Sequence, residues 1–138
     1  MLTQITLQPV KFSEVDSLRV VWHGNYVRYF EDGREGFGKE FGLGYLDIYQ
    51  QGYAVPLIDL QINYKRILEY GDTAIIETTF INSAAAKLIF DYKITSLQHG
   101  YVVCTGRSTQ VFVDPVTKEL NITMPAFMEK WKQRWEVA

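Results

Sequence analysis

Over residues 2–13 apolar and polar positions roughly alternate, with Leu2, Ile5, Leu7, Val10 and Phe12 as the apolar members, the pattern of a strand. The alternation stops at the polar pair Ser13-Glu14. Irregular chain through Asp16-Ser17, Val20-Val21-Trp22 and His23-Gly24 then leads into a new period. Tyr26, Phe30, Gly33, Phe37 and Phe41 follow at steps of four, three, four and four, which puts them on one face of a helix. Asn25 or Gly24 is the expected N-cap and Gly42 the expected stop. Arg28, Glu31, Asp32, Glu35 and Lys39 fall mostly on the opposite face, where Glu35–Lys39 and Glu31–Arg34 have the spacing of helical ion pairs. Gly33, Gly36 and Gly38 each cost about 1 kcal/mol relative to alanine in a helix interior. Close packing of the helix against a sheet recovers that cost, so the glycines predict a tightly embraced central helix.

Residues 43–53 read as a short helical or loop connection ending at Gly52. The period then becomes two. Ile58, Leu60, Ile62 and Tyr64 share a face opposite Asp59, Gln61, Asn63 and Lys65, a half-buried strand. Tyr70-Gly71-Asp72 is a turn, residues 73–82 a second strand, and Leu88, Phe90, Tyr92 and Ile94 mark a third. His99-Gly100 makes a hairpin turn into a long strand from Tyr101 to Val113, and Pro125 opens a C-terminal helix with Phe127, Met128, Trp131 and Trp135. Strand, long helix, four strands and a short helix predict one α+β domain over residues 1–138, an antiparallel sheet curled around one helix.

Composition narrows the function. With 138 residues, 47% of them apolar and 14% aromatic, the chain can build a core without disulfides. A net charge of −2 and a pI near 5.7 exclude the basic field that a nucleic-acid or membrane-surface binder needs. The single Cys104 has no internal partner, and no Cys/His spacing suits zinc. No apolar run reaches the roughly 18–20 residues of a membrane span, and the N-terminal pattern is not that of a signal peptide. A cytoplasmic protein is the expectation.

The stretch from Ser13 to Phe41 carries the candidate chemistry. Asp16 lies in irregular chain seven residues before His23, and His23 stands where the helix begins. A helix start offers unpaired N–H groups to an oxyanion, and an acidic side chain nearby can be a nucleophile or general base. Thioester hydrolysis needs these two parts. On spacing alone, an aspartate in such a loop is more often a turn former or cap.

The run from Asp16 through Trp22-His23-Gly24-Asn25-Tyr26 to Phe30-Glu31-Asp32-Gly33-Arg34 resembles the signature of hot-dog-fold acyl-CoA thioesterases of the 4-hydroxybenzoyl-CoA thioesterase type. The likeness continues through Tyr64-Lys65-Arg66, Gly71-Asp72 and Val111-Phe112-Val113-Asp114. The resemblance implies a hot-dog fold, a five-stranded antiparallel sheet wrapped around a long central helix, and hydrolysis of an acyl-CoA to free acid and coenzyme A. Asp16 matches the family's catalytic carboxylate. His23 matches the position whose backbone N–H polarises the thioester carbonyl, with the Gly24 N–H beside it and the imidazole available to orient substrate or water. Tyr26 lines or packs behind the site. No metal and no cofactor is implied beyond the coenzyme A that is part of the substrate.

Two positions depart from the pattern. Arg19 replaces a usual glycine, which either reshapes the loop or brings a cation to the acyl pocket. Ala84-Ala85-Ala86 stands where some members carry basic residues, leaving Lys87 as the local candidate for the coenzyme A phosphates, with Lys65, Arg66 and Arg107 as others. The family assembles edge to edge as homodimers and often homotetramers, and the Pro-free strand at 57–66 is hazardous as a free edge. Two alternatives share the fold. One is a non-catalytic acyl-CoA or acyl-carrier binding module. The other is a hydratase or dehydratase, whose proline-rich histidine context is absent around His23.

Overall fold

The computed structural model describes residues 1–137. Its elements run β1 (Thr3–Pro9), α1 (Tyr26–Phe41), α2 (Tyr45–Gln50), β2 (Leu57–Tyr64), β3 (Thr73–Ile81), β4 (Lys87–Ser96), β5 (Val102–Val111) and α3 (Ala126–Arg134), with 3₁₀ turns at Phe12–Glu14 and His23–Asn25. The strands form one antiparallel sheet in the order β1-β3-β4-β5-β2. The three strands joined by short connections pair consecutively, as expected. β2 instead crosses to the free edge of β5, and β1 takes the free edge of β3. β1 and β2 are therefore the sheet edges, and α1 lies across the inner face between them.

The glycine of the helix stripe sets how closely that face approaches. A Cβ built on Gly33 would lie 2.4 Å from Thr78 Oγ1 and 2.7 Å from Ile76 Cγ2, so the helix backbone touches β3 directly. Tyr29, Phe30 and Phe37 fill the space on either side. Phe30 stacks on Tyr92 with ring centroids 4.5 Å apart, and Phe37 meets Phe90 edge-on. Ala74, Ile76, Thr78 and Phe80 of β3 and Leu88, Phe90, Tyr92 and Ile94 of β4 are all buried, as their alternation predicts. α3 closes the far end, where the Trp131 indole N–H donates to the carbonyl of Phe41 at 2.7 Å. Gly42 adopts the left-handed conformation (φ 69°) expected of a helix stop.

Three expectations need correction. In β1 the apolar members Ile5 and Leu7 face outward and are more than half exposed, while Gln4 and Thr6 face α1. The reason lies at Gly36, where a Cβ would meet Thr6 Oγ1 at 2.5 Å and the Gln4 amide just beyond. Gln4 and Thr6 thus pack directly against the helix backbone there. In β2 a register shift between Leu57 and Asp59 makes Ile58 the extra residue of a bulge, so it is exposed and only Leu60 and Ile62 are half-buried. The Glu31–Arg34 pair does not form. Arg34 turns inward, donating from one guanidinium NH₂ to the carbonyl of Leu43 at 2.9 Å and lying 4.4 Å from the centre of the Phe90 ring. Burial pulls its pKa down to about 10. The other helical pair does form, with Lys39 Nζ 3.4 Å from Glu35.

A buried carboxylate fixes the turn before β3. Asp72 accepts hydrogen bonds from Ser96 Oγ at 2.5 Å, Thr73 N–H at 2.7 Å and Gln98 N–H at 3.0 Å. Burial alone would raise its pKa; these donors outweigh it and hold the carboxyl below the usual range. A depressed folded value makes the contribution to stability complete above the ordinary carboxylate pKa. It is lost as the pH falls from there through the lower folded value. Thermal melts are therefore expected to show stability declining below about pH 4. Asp72→Asn should lower the melting temperature at neutral pH and remove part of that acid dependence.

Cys104 is fully buried, and burial pushes its thiol up to about 12. Among the described residues no helix is long and apolar enough to cross a membrane.

Candidate active site

The segment between the two 3₁₀ turns folds as a small hairpin. Glu14 faces Trp22, Val15 faces Val21 and Asp16 faces Val20, with the Asp16 N–H donating to the Val20 carbonyl at 2.9 Å. Asp16 is exposed near the tip. Its Oδ1 accepts the Leu18 N–H at 2.8 Å, an Asx turn that orients the carboxylate. The next residue along is Arg19, whose φ of 64° places it in the left-handed region. Arg19 thus holds a conformation that favours glycine, at the cost of local backbone strain. Arg19 carbonyl then accepts the Tyr70 N–H and Leu68 carbonyl the Val21 N–H, which ties the hairpin to the chain just beyond β2.

His23 and Gly24 follow at the base of the hairpin. They are the first residues of a 3₁₀ turn that runs straight into α1, positions whose N–H groups have no acceptor earlier in the helix. The positive end of the helix dipole points the same way. Neither expected cap closes this end with a side chain. Asn25 Nδ2 instead donates to the carbonyl of Glu14 at 2.8 Å, inside the protein. The indole of Trp22 folds back over Gly24, where a Cβ would meet the ring at 2.1–2.7 Å. The carbonyl of His23 accepts the Tyr64 hydroxyl at 3.1 Å, so the end of β2 holds the residue whose N–H is in question. In the sequence Tyr64 is marked by its place at a strand end and by the Tyr64-Lys65-Arg66 run of the resemblance, neither of which points to this hydrogen bond.

Asp16, Arg19, His23 and Gly24 therefore share one hairpin and helix start. Tyr26 is behind them, 4% exposed and packed edge-on against Tyr64 and Tyr29, and burial raises its hydroxyl pKa. It packs. Lys87 opens β4 at the opposite end of the sheet, about 30 Å away along a strand. Lys65 and Arg66 continue from Tyr64 at the His23 end, both exposed. Arg107 is on the outer face of the sheet, in a two-point pair with Asp91 at 2.6 and 2.9 Å. Beside the β2 edge, between α1 and the sheet, a groove of about 500 Å³ is lined by Val27, Phe30, Leu57, Leu60 and Tyr92, with Glu31, Arg34, Glu35, Ser108 and Gln110 as its polar members. Among the described residues no group of three or more His, Cys, Asp or Glu could hold a metal ion.

A family model described as the thioesterase-like superfamily matches residues 10–132, from the end of β1 into α3. The chain belongs to that superfamily. YneP of Bacillus subtilis (strain 168), provisionally named an acyl-CoA thioesterase, is 34% identical over 105 residues, covering 76% of this chain and 75% of YneP. The structure of a DHNA-CoA thioesterase from Staphylococcus aureus superposes with a TM-score of 0.86 at 25% identity, over 99% of this chain and 90% of that one. The 4-hydroxybenzoyl CoA thioesterase from Pseudomonas sp. strain CBS-3 shares the fold with a TM-score of 0.80 at 18% identity, over 94% and 98% of the two chains. This member of the thioesterase-like superfamily is a thioester hydrolase with the hot-dog arrangement of sheet and helix.

Proposed function

We propose that the protein hydrolyses an acyl-CoA in the cytoplasm to the free acid and coenzyme A, with Asp16 as the reacting carboxylate and the His23 and Gly24 N–H groups as the oxyanion site. The observation that carries this reading is the hairpin. It holds an exposed, oriented carboxylate and the open N–H groups of a helix start within one short loop. Direct attack by Asp16 on the thioester carbon gives an acyl–Asp16 anhydride and expels the thiolate, which takes a proton from water. A second water then opens the anhydride. In the alternative, Asp16 takes a proton from the water that attacks. In both, negative charge develops on the carbonyl oxygen, where fixed donors stabilise it most.

The working unit in this reading is at least a homodimer, with the homotetramer as its further assembly. β2 is an edge strand, and a two-fold axis pairing it with a second copy sets the Leu57 end of one against the Tyr64 end of the other. The groove of one copy then opens beside the hairpin of its partner, giving the acyl group a wall that a lone protomer lacks. Light scattering at micromolar concentration should give at least twice the 16.0 kDa protomer mass; a monomer overturns the shared site. The exposure of Lys65 and Arg66 just beyond Tyr64 supports a coenzyme A phosphate site at the His23 end. Replacing both with alanine should raise KM severalfold with kcat unchanged, the pattern of lost uniform binding, and Lys87→Ala tests the remaining candidate by the same measure. Free-thiol release from a panel of acyl-CoAs tests the activity itself. Binding without thiol release from any of them would make the protein a non-catalytic acyl-CoA module.

A further inference from the structure

Glu14 closes the first 3₁₀ turn, two residues before Asp16, and only 7% of its surface is exposed. Its Oε1 accepts the Lys11 N–H at 2.7 Å and the hydroxyl of the fully buried Tyr29 at 3.0 Å. Its backbone carbonyl accepts the Trp22 N–H at 3.0 Å and Asn25 Nδ2 at 2.8 Å. These four donors come from the chain before the loop, from the returning arm that leads to His23, and from the first turns of α1. Among the described residues no cation forms an ion pair with Glu14. A buried carboxylate held by neutral donors is an expensive way to fill space, since an apolar side chain of similar size avoids the desolvation cost. What the carboxylate adds is direction: one oxygen registers the loop's entry against α1, while the same residue's carbonyl registers its exit.

Resting on the proposed function above, we infer that Glu14 is a positioning residue which, with Tyr29, sets the Asp16 carboxylate at its working distance from the His23 and Gly24 N–H groups. The Asp16 and His23 arms pair directly through the Val15–Val21 bridge and the Asp16 N–H on the Val20 carbonyl, and Glu14 fastens the base of that pair to α1. A tilt of the hairpin about its base moves the Asp16 carboxylate while leaving the helix start in place. Misplacement by about 1 Å is enough to cost on the order of 10²-fold in rate.

The test uses Glu14→Leu, which removes the acceptor, and Glu14→Gln, which keeps one oxygen able to accept both donors. Glu14→Leu is expected to lower kcat for the best acyl-CoA by about 10–100-fold with KM within about threefold of wild type. Glu14→Gln should restore kcat to within about threefold. Amide exchange followed by NMR should quicken at Asp16 and Leu18 in Glu14→Leu and stay at the wild-type rate in Glu14→Gln. The inference is overturned if folded Glu14→Leu keeps kcat within about threefold, or if Glu14→Gln falls as far as Glu14→Leu. Should Glu14→Leu not fold, Tyr29→Phe removes a single donor. An unchanged kcat and unchanged exchange in that variant overturn the inference equally. Wild type that releases no thiol from any acyl-CoA defeats the thioesterase reading instead. The exchange rates then still decide whether Glu14 holds the loop.

Discussion

Asp16→Asn should remain folded and release thiol from its best acyl-CoA about 10²–10⁴-fold more slowly than wild type. The side chain is exposed, and its hydrogen bond is to the Leu18 N–H, which an asparagine oxygen accepts as well. Removing the charge therefore leaves the Asx turn and the hairpin intact. Only the ability to attack carbon, or to take a proton from water, is lost. Asp16→Glu restores the charge but adds a methylene. With the donors at His23 and Gly24 fixed by the helix start, that displacement is expected to cost about 10²-fold. His23→Ala keeps the backbone N–H and should be milder than either. Thiol release measured alongside the unfolding temperature checks all three. An Asp16→Asn protein that melts like wild type and keeps its rate within a few-fold removes Asp16 from the chemistry and makes Glu31 the next carboxylate to test.

Gly33→Leu is expected to cost about 3 kcal/mol or more of stability and to leave little folded protein at 37 °C. The atoms its Cβ would strike belong to Thr78 and Ile76 of β3, β-branched side chains with little χ1 freedom on a strand paired on both sides. Helix propensity argues in the opposite direction, by about 1 kcal/mol in favour of replacing glycine. The contact wins because α1 cannot move away from β3 without giving up the buried faces of Phe30 and Phe37. Denaturant unfolding of Gly33→Ala and Gly33→Leu should show the loss growing with side-chain size. A Gly33→Leu protein as stable as wild type would contradict the close approach.

That glycine was readable in the sequence, because three glycines inside an amphipathic period make sense only against a close neighbour. The strands were readable for the same kind of reason: β3 and β4 bury one face each, and their period of two is unbroken. β1 was not, because alternation defines two faces without saying which is inward. The usual assumption that apolar means inward fails on β1, where Gln4 and Thr6 are the side chains that meet α1 at Gly36. Arg34 misleads similarly. Its spacing from Glu31 suits an ion pair, yet a carbonyl at Leu43 and the face of Phe90 offer it a place inside. At the candidate site, Asp16 and His23 stood out through the resemblance of their run and through their position before a helix. Glu14, beside Ser13 in a polar pair, has the sequence of a solvated turn. Beyond the local Lys11 N–H, its partners are Trp22, Asn25 and Tyr29, eight to fifteen positions away, which fold back onto it.

The burial of Cys104 makes the protein a convenient host for chemical probes. It is the chain's one cysteine, and with its thiol pushed up to about 12 it holds almost no thiolate at neutral pH. Maleimide dyes and spin labels should therefore leave the native protein unmodified. A cysteine introduced at Leu18, which is 78% exposed beside the Asx turn, would then be the single site of attachment. A label there would report the motion of the Asp16 loop directly, with no background from the rest of the molecule.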